Sequence, residues 1–554
     1  MLKTPYKYLI FACLAFAFLI RLADINYGLP LWLIGDEPPF TTATLKMIEE
    51  KTILPVLHQE AFKPTLYFPP YLAHIYLIPF ILLLGIKFLL FNGGIEAFKN
   101  YIVSDLSQFF LLGRFINVIL GTATVWLVYK ISKNIFRKES IAILSAAFLA
   151  SSILHIYLSA VARDWVPAVF LFTLAMYTLS NQNISQNKRY VLGGVISGIA
   201  FGVSLIAGFI MLFILFWYLF YEEHKIFDVF KEKSLYITLA SFLALAGISI
   251  AIYPFGFHLS GDNSLAIDKS VYEYILSLIN FLKPVLISEP LLVIFALMGL
   301  VASFIGLRKY FWTTAIFIFS YITIFYIVFH YEHRFTIYLF PILSILAGYG
   351  LYWIAKKLPN PKLSYALVIL ILAIPLATSL RLDWLILKND SRIQARNWLE
   401  LNIPEQSKIL IHAEMTRLSS TPEAIKEQEN IDSNSLRKID DAERKTISNL
   451  HKYTQFHALN MYSVYNDEFY KNLPKYAQEN NYQYLVIDPV YDTAYREKSA
   501  SLLYLASQGE LIKSFGKSQE VYFLRDGNFG NPLGLFKLGS LGPKIEIYKL
   551  SQQQ

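Results

Sequence analysis

Long apolar runs are the feature that most constrains how this chain can fold. A helix that spans a bilayer needs about 20 apolar residues. Hydrophobic residues make up 55% of the chain and charged residues only 16%, whereas soluble domains carry about 25% charged residues. The apolar runs lie near residues 8–22, 67–91, 106–131, 140–158, 164–180, 190–221, 235–257, 285–306, 311–330, 335–355 and 363–380. The sequence therefore predicts a polytopic α-helical membrane protein.

Basic residues in the short loops orient these helices, because cytoplasmic loops are enriched in Lys and Arg. Clusters occur at 130–138, 188–189, 308–309 and 356–362. Placing every cluster inside requires extra crossings within 67–105 and 190–221, so we predict eleven to thirteen spans and favour thirteen. The glycine-rich stretch 190–221 would then contain two short or broken helices. The first run has no cleavage site after its apolar core, so we predict a retained helix rather than a signal peptide.

The composition becomes polar after Leu380, which predicts a second domain. Residues 391–404 have the pattern of an amphipathic helix stopped by Pro404. Strand-like segments follow at 407–413, 482–489, 520–526 and 544–550. We therefore predict a transmembrane domain over 1–385 and a C-terminal α/β domain over 386–554. With the N-terminus inside and an odd number of spans, this domain and the loop 23–65 lie outside the cytoplasm.

The charge distribution argues against one class of function, and the cysteine content argues against an internal disulfide. The net charge of +8 is spread over short loops and forms no basic stripe, so nucleic-acid binding is not expected. Cys13 is the single cysteine and cannot form an internal disulfide.

Two groups of residues near the predicted outer face could carry chemistry. The first outer loop contains the sequence GDEPPF, with the carboxylates Asp36 and Glu37, and later Lys63 in an aromatic and proline-rich segment. Asp36 and Glu37 could simply begin the helix that follows, since acids before proline favour a helix N-terminus. Lys63 could be an interfacial anchor or a phosphate ligand.

Two short links between apolar runs add further charges on the same predicted side. Arg163 and Asp164 lie in the first link, where a simple ion pair is the alternative interpretation. The second link is more crowded than a turn requires, with His330, Glu332, His333 and Arg334. One face of the membrane therefore collects carboxylates together with lysine and arginine.

These motifs occur in an order that resembles a known superfamily. They are GDEPPF, KPTLY, LLGRFINVILGTATVWLVYKISKNIF, LHIYLSAVARDWVPAVFLFTLAMY, HRFTIYLFPILSILAG and RNWLELNIPEQSKIL. Together they resemble the lipid-carrier-dependent glycosyltransferases of the GT-C fold, in particular the protein O-mannosyltransferases and the bacterial aminoarabinose transferases. The resemblance covers residues 1 to about 415 of the chain.

The resemblance implies a role for each candidate residue. Asp36 would be the catalytic acid or base, Glu37 its partner, and Asp164 an acid beside the sugar pocket. Arg114 would have a structural role. Donor-phosphate binding is assigned to Lys63, Arg163, His333 and Arg334.

The implied reaction transfers a sugar from a polyprenyl (dolichyl or undecaprenyl) phosphate to a hydroxyl group. The leaving phosphate needs nearby cations, and a carboxylate such as Asp36 can accept the hydroxyl proton. A single displacement inverts the anomeric carbon. We expect an integral plasma-membrane enzyme whose acceptor is a protein, a lipid or a glycan.

Several alternatives stay open at this point. A Mg²⁺ or Mn²⁺ ion bridging Asp36 and Asp164 would have suitable oxygen ligands, and otherwise no cofactor is expected. A transporter or flippase of lipid-linked sugars is the alternative function, supported only by the broken-looking stretch 190–221. A structural partner that recruits other proteins would leave the outer charges unexplained.

Overall fold

The computed structural model describes residues 4–551 except 32, 35–36, 64, 258–278, 280–281, 329–332, 414–415, 434–453, 489–495 and 517–529. The helices of the membrane domain are α1 Thr4–Ala23, α2 Pro38–Glu49, α3 Gln59–Phe62, α4 Tyr71–Leu90, α5 Ile95–Val103, α6 Ser107–Phe136, α7 Glu139–Ala150, α8 Ile153–Ser159, α9 Trp165–Ser180, α10 Gln186–Val203, α11 Ile210–Phe216, α12 Lys233–Ile252, α13 Leu282–Ser288, α14 Pro290–Gly306, α15 Arg308–Val328, α16 Phe340–Lys357 and α17 Pro361–Leu387.

The described residues contain fewer membrane-spanning helices than the sequence predicts. Six helices are long and apolar enough to cross a membrane, or up to eight if each of two bent helix pairs counts as one span. One bent pair is α7 with α8, at 63°, and the other is α13 with α14, at 113°. The helices 165–180 and 205–221 are apolar but shorter. Apolar composition alone does not reveal where a run bends or breaks, and this accounts for part of the difference from the predicted eleven to thirteen.

The predicted break in the stretch 190–221 is confirmed. Helix α10 ends at Val203, a 3₁₀ turn follows over Leu205–Phe209, and α11 begins at Ile210. Ser204 lies at the break in an extended conformation. Because Gly202 is packed against the ring of Tyr71, this end of α10 has no room for a larger side chain.

Glycines allow two membrane helices to approach closely. Helix α14 packs along α16, and a Cβ atom at Gly299 would collide with the carbonyl group of Leu346. A Cβ atom at Gly350 would collide with the carbonyl group of Phe295. Small residues are the usual means of close helix packing in lipid, where van der Waals contact replaces the hydrophobic driving force.

The C-terminal domain is built around a mixed sheet. Its helices are α18 Ser391–Asn402, α19 Pro422–Ile431, α20 Asp467–Lys471, α21 Leu473–Glu479 and α22 Arg496–Ser507. Its strands are β1 Lys408–Ile411, β2 Ser419–Ser420, β3 Gln455–Asn460, β4 Tyr484–Ile487, β5 Gly509–Phe515 and β6 Ile545–Leu550. The strand order is β2-β3-β1-β4-β6-β5. The first four strands are parallel to one another, and β6 runs antiparallel to both of its neighbours, β4 and β5.

The predicted α/β character of this region is therefore confirmed. Helix α18 and strands β1, β4 and β6 lie where the sequence places them. The predicted strand 520–526 lies outside the described residues. The boundary after residue 385 stays a prediction.

A half-buried carboxylate joins α19 to the sheet. Glu427 accepts hydrogen bonds from Tyr476 and from Tyr482, the latter at 2.7 Å, and its other oxygen lies 2.5 Å from Nε2 of His457. Burial by itself raises the pKa of the Glu427 carboxyl group. The hydrogen bonds from His457, Tyr476 and Tyr482 outweigh burial and bring this pKa to about 2.

The two domains meet at a polar junction, formed by Tyr27, Asp390 and Ser391. The hydroxyl of Tyr27 donates to Asp390 at 3.0 Å. The hydroxyl of Ser391 donates to the carbonyl of Pro543 at 2.6 Å, just before β6. The junction therefore ties the loop after α1 to the beginning of α18 and to the beginning of β6.

Candidate active site

Glu37 is held in a fully buried ion pair. Both of its oxygens accept from Arg114, from Nε and from Nη2, each at 2.6 Å. One of these oxygens also accepts from the backbone N–H of Ala162 at 2.7 Å. The second terminal nitrogen of Arg114 donates to the carbonyls of Ile25 and Tyr27. Glu37 therefore fixes the loop after α1 against α6 and against the turn before α9.

Asn117 extends this network one turn further along α6. Its amide nitrogen donates to the carbonyls of Val161 and Arg163, at 2.5 and 2.9 Å. Its amide oxygen accepts from the hydroxyl of Tyr76 at 3.1 Å. The side chains of α6 thus hold the backbone on both sides of Ala162, which positions the residues that follow.

Arg163 and Arg334 converge on one aromatic ring. The guanidinium carbon of Arg163 lies 3.9 Å from the ring centroid of Trp165, and that of Arg334 lies 4.9 Å from it. Both arginines are almost fully buried. Guanidinium groups stack favourably on indole faces. The ring therefore holds two positive charges from distant parts of the sequence close together.

Asp164 lies beside these two arginines. Its Oδ1 atom is 3.8 Å from Nε of Arg163 and accepts no hydrogen bond from the described residues. The hydroxyl of Ser204, at the helix break, lies beside the carboxylate and also beside Tyr338. Burial raises the pKa of the Asp164 carboxyl group above its usual value, while Arg163, Ser204 and Arg334 oppose the rise.

Aromatic rings connect this cluster to the Lys63 segment. The guanidinium carbon of Arg163 lies 5.2 Å from the ring centroid of Phe68, and the rings of Phe68 and Phe40 stack at 5.0 Å. Lys63 itself is about half exposed and lies 2.7 Å from Glu60. Its ammonium is 5.6 Å from the ring centroid of Phe255. Within the described residues, Lys63 thus stands at the rim and has no direct contact with the two arginines.

Other predicted residues have different placements. His333 is buried, with Nε2 3.2 Å from the hydroxyl of Ser288. Asp36, His330 and Glu332 lie outside the described residues.

The site includes residues that sequence reasoning missed. Trp165 directly follows Arg163 and Asp164 in the sequence, and Tyr338 lies four residues after Arg334. Ser204 follows the glycine-rich helix α10. The spacing of Arg114 and Asn117 was the available signal for the α6 network, because residues three apart share one face of a helix.

Two arginines, Arg163 and Arg334, lie near Asp164, and their positive charges favour its ionised form. Among the described residues, no group of three or more His, Cys, Asp or Glu side chains could hold a metal. Asp36, the other ligand of the predicted Mg²⁺ or Mn²⁺ site, lies outside the described residues, so this metal site stays a prediction.

Comparison with known families gives one match. Residues 101–253 match the family described as dolichyl-phosphate-mannose-protein mannosyltransferase. The predicted resemblance is confirmed over this span. It contains Arg114, Arg163 and Asp164. No curated protein matches the chain.

Three solved structures align with most of this chain at low identity. The Archaeoglobus fulgidus oligosaccharyltransferase with a tethered acceptor peptide is 15% identical, with a TM-score of 0.45, covering 93% of this chain and 73% of that one. ArnT from Cupriavidus metallidurans is 11% identical, with a TM-score of 0.47 and 98% of each chain covered. The mycobacterial arabinofuranosyltransferase AftD is 13% identical, with a TM-score of 0.37, covering 80% of this chain and 34% of that one.

Proposed function

We propose that this protein is an integral-membrane glycosyltransferase that moves a sugar from a polyprenyl phosphate to a hydroxyl acceptor on the extracytoplasmic side. The observation that carries the proposal is the buried pair Arg163 and Arg334 around Trp165, with Asp164 beside them. Guanidinium groups bind phosphate through charge-assisted, often bidentate hydrogen bonds, so two buried arginines that stack on one indole ring suit an anionic phosphate group.

In the proposed reaction, two arginines act on the leaving phosphate and a carboxylate acts on the acceptor hydroxyl. The bond from the anomeric carbon to the phosphate oxygen breaks, and Arg163 and Arg334 stabilise the charge that the departing lipid phosphate retains. The acceptor hydroxyl forms the new bond and passes its proton to Asp36. A single displacement of this kind inverts the anomeric configuration.

The remaining residues would act by position. Glu37 holds the loop that carries Asp36 and does not itself face the substrate, because both its oxygens are occupied by Arg114. Asp164 and Ser204 would bind hydroxyl groups of the donor sugar. Lys63, at the rim, would contact the lipid phosphate as the donor enters the site. For that contact, the Lys63 ammonium must separate from the Glu60 carboxylate.

A transfer assay tests the proposal. The purified protein in lipid nanodiscs is given radiolabelled polyprenyl-phosphate sugars and a panel of hydroxyl acceptors. We expect Arg334→Gln to raise the KM for the donor at least tenfold and to lower kcat, because one charge-assisted contact to the phosphate is lost. Arg137→Gln, at the exposed inner end of α6, is the matched control and should behave as wild type. Equal donor kinetics in the two variants would contradict the proposed phosphate role.

A further inference from the structure

Two carboxyl groups that the proposed reaction does not use meet inside the protein. Asp24 is the first residue after α1, and Asp383 lies near the end of α17. Asp24 is 1% exposed and Asp383 is 6% exposed, and their side chains lie within hydrogen-bonding distance of each other. Both oxygens of Asp24 and the Oδ1 atom of Asp383 accept no hydrogen bond from an N–H or O–H group of the described residues.

The nearest cation, Arg21, donates its hydrogen bonds elsewhere. Its two terminal nitrogens donate to the carbonyls of Ala17, Leu149 and Ala150. One of them also lies 2.8 Å from Nδ1 of His155. Because a guanidinium can only donate, this nitrogen of His155 is an acceptor and the ring is neutral. Arg21 therefore supplies one buried positive charge near the two carboxyl groups without a hydrogen bond to either.

The other ionisable groups on the packed elements are engaged away from this pair. They are Arg114 of α6 with Glu37, Arg392 of α18 with Asp390, Glu139 of α7 with Lys133, and Arg381 of α17 with the carbonyls of Leu535 and Leu538. Cys13 of α1 faces Arg21, and Lys356 and Lys357 of α16 lie near the opposite end of α17. The charge state of the pair is thus set by Asp24, Asp383 and Arg21.

Two carboxyl groups in contact require a proton between them. Two carboxylates at this distance repel each other, and like charges in contact favour the protonated form of one of them. One shared proton provides a hydrogen bond and leaves the cluster with Arg21 without net charge. Burial and the Asp383 carboxyl group raise the pKa of the Asp24 carboxyl group well above its usual value, while Arg21 opposes the rise.

A bridging metal ion is a poorer explanation of the contact. Across the part of the chain that the structure describes, no third His, Cys, Asp or Glu side chain joins the pair to form a metal-binding group. The positive charge of Arg21 also disfavours a bound cation. A proton needs no further ligand.

The pair lies where the loop after α1 meets the segment that leads into the C-terminal domain. The carbonyl of Asp24 accepts from the N–H of Tyr27 at 3.0 Å. Tyr27 in turn binds Asp390 through its hydroxyl and Arg114 through its carbonyl. Asp383 precedes Asp390 along the end of α17. The contact between Asp24 and Asp383 therefore lies alongside the junction of the two domains and holds the same two segments together.

We propose that Asp24 and Asp383 share a single proton, and that its loss at alkaline pH separates the loop after α1 from α17 at the junction of the two domains. This inference does not depend on the proposed transferase function. Without the proton, two buried carboxylates repel each other beside a single guanidinium. Because the folded state holds the extra proton, the stability that it contributes is present at low pH and is lost as the pH rises through the pKa of the pair in the folded protein.

The test measures the heat-unfolding temperature of the full chain in nanodiscs by tryptophan fluorescence, from about pH 5 to about pH 9. In Asp24→Asn the amide supplies a donor to Asp383 at every pH, so this variant mimics the protonated pair. We expect the unfolding temperature of wild type to fall by several degrees relative to Asp24→Asn over this range. Asp383→Asn should show the same behaviour. A difference from wild type that stays constant with pH in both variants would overturn the proposal.

Two controls define the charge of the pair. Glu96→Gln changes an exposed carboxylate and should follow wild type at every pH. The double variant Asp24→Asn with Asp383→Asn leaves Arg21 buried without a negative charge and should unfold below either single variant. A double variant as stable as the single variants would contradict the presence of one remaining charge.

Trypsin cleavage after Lys388 reports on the junction itself, because Lys388 is exposed between α17 and α18. The ratio of the wild-type rate to the Asp24→Asn rate removes the pH dependence of trypsin. We expect this ratio to rise several-fold between neutral pH and about pH 9. A constant ratio would show that the proton does not control the junction.

A chelator distinguishes the proton from a bound metal ion. EDTA should leave the unfolding temperature of wild type unchanged at neutral pH. A decrease with EDTA in wild type but not in Asp24→Asn would show that a metal ion bridges the pair, and the proton assignment would be wrong.

Discussion

Replacing Glu37 by Gln should destabilise the membrane domain even though the change is nearly isosteric. The carboxylate accepts two hydrogen bonds of 2.6 Å from Arg114 and one of 2.7 Å from Ala162. A glutamine keeps a single oxygen and turns an N–H₂ group toward the guanidinium. Breaking one side of a buried ion pair costs about 3–5 kcal/mol, because the partner charge stays buried without compensation. We expect a loss of about 3 kcal/mol, at the lower end of that range, since one acceptor remains.

Substitutions at Arg114 distinguish the loss of the ion pair from a local effect of the new side chain at position 37. Arg114→Met alone leaves the carboxylate of Glu37 buried without its partner and should be destabilising by a similar amount. The double variant Glu37→Leu with Arg114→Met removes both charges and should recover at least half of the loss, because the desolvation cost disappears with the pair.

Cys13 makes the measurement direct. It is the single cysteine of the chain and lies within α1, so a thiol-reactive fluorescent dye reports unfolding during heating. Glu37→Gln and Arg114→Met should each unfold several degrees below wild type, with the double variant between them and wild type. A wild-type unfolding temperature for Glu37→Gln, or a double variant that is less stable than either single variant, would refute the reasoning.

Three further perturbations have defined outcomes. Lys63→Ala should raise the donor KM several-fold and leave the acceptor KM unchanged. An unchanged donor KM would contradict a contact between Lys63 and the donor phosphate. Glu427→Gln should destabilise the C-terminal domain by about 2 kcal/mol at pH 7. The pKa of Glu427 is about 2 in the folded protein against 4.5 ordinarily. The stability difference from wild type should therefore be constant above about pH 5 and shrink as the pH falls toward 2. Unfolding temperatures measured from pH 7 to pH 3 test this, and a difference that does not change with pH would contradict it. Gly299→Val should separate α14 from α16 and lower the unfolding temperature, whereas Gly247→Val, where a Cβ atom meets nothing within 4 Å, should not; equal temperatures would contradict the close-packing argument.

The sequence was most informative where a local pattern decides the structure. Helix α2 begins at Pro38, directly after the acidic pair, and α18 ends before Pro404, because proline fixes the backbone at a helix start and cannot continue a helix. The strand patterns of β1, β4 and β6 were equally clear. Apolar composition was a weaker guide to the number of spans, since it does not show where α7 bends into α8.

The candidate site was harder to predict because its contacts join distant segments. The family resemblance implies that Glu37 is the partner of Asp36, but it does not reveal that both Glu37 oxygens accept hydrogen bonds from Arg114, which is 77 residues away in the sequence. The convergence of Arg163 and Arg334 on Trp165 depends on how α9 packs beside the turn before α16, which no local pattern specifies. Ser204 enters the site only because the chain breaks after α10.

The most direct test of the account compares Asp36→Asn with wild type in the transfer of labelled sugar from a polyprenyl phosphate. The substitution removes the group proposed to accept the acceptor proton and leaves the Glu37 and Arg114 pair intact. The account predicts that transfer falls by at least a hundredfold, while the heat-unfolding temperature reported by Cys13 stays that of wild type. Transfer at the wild-type rate in Asp36→Asn would contradict the account.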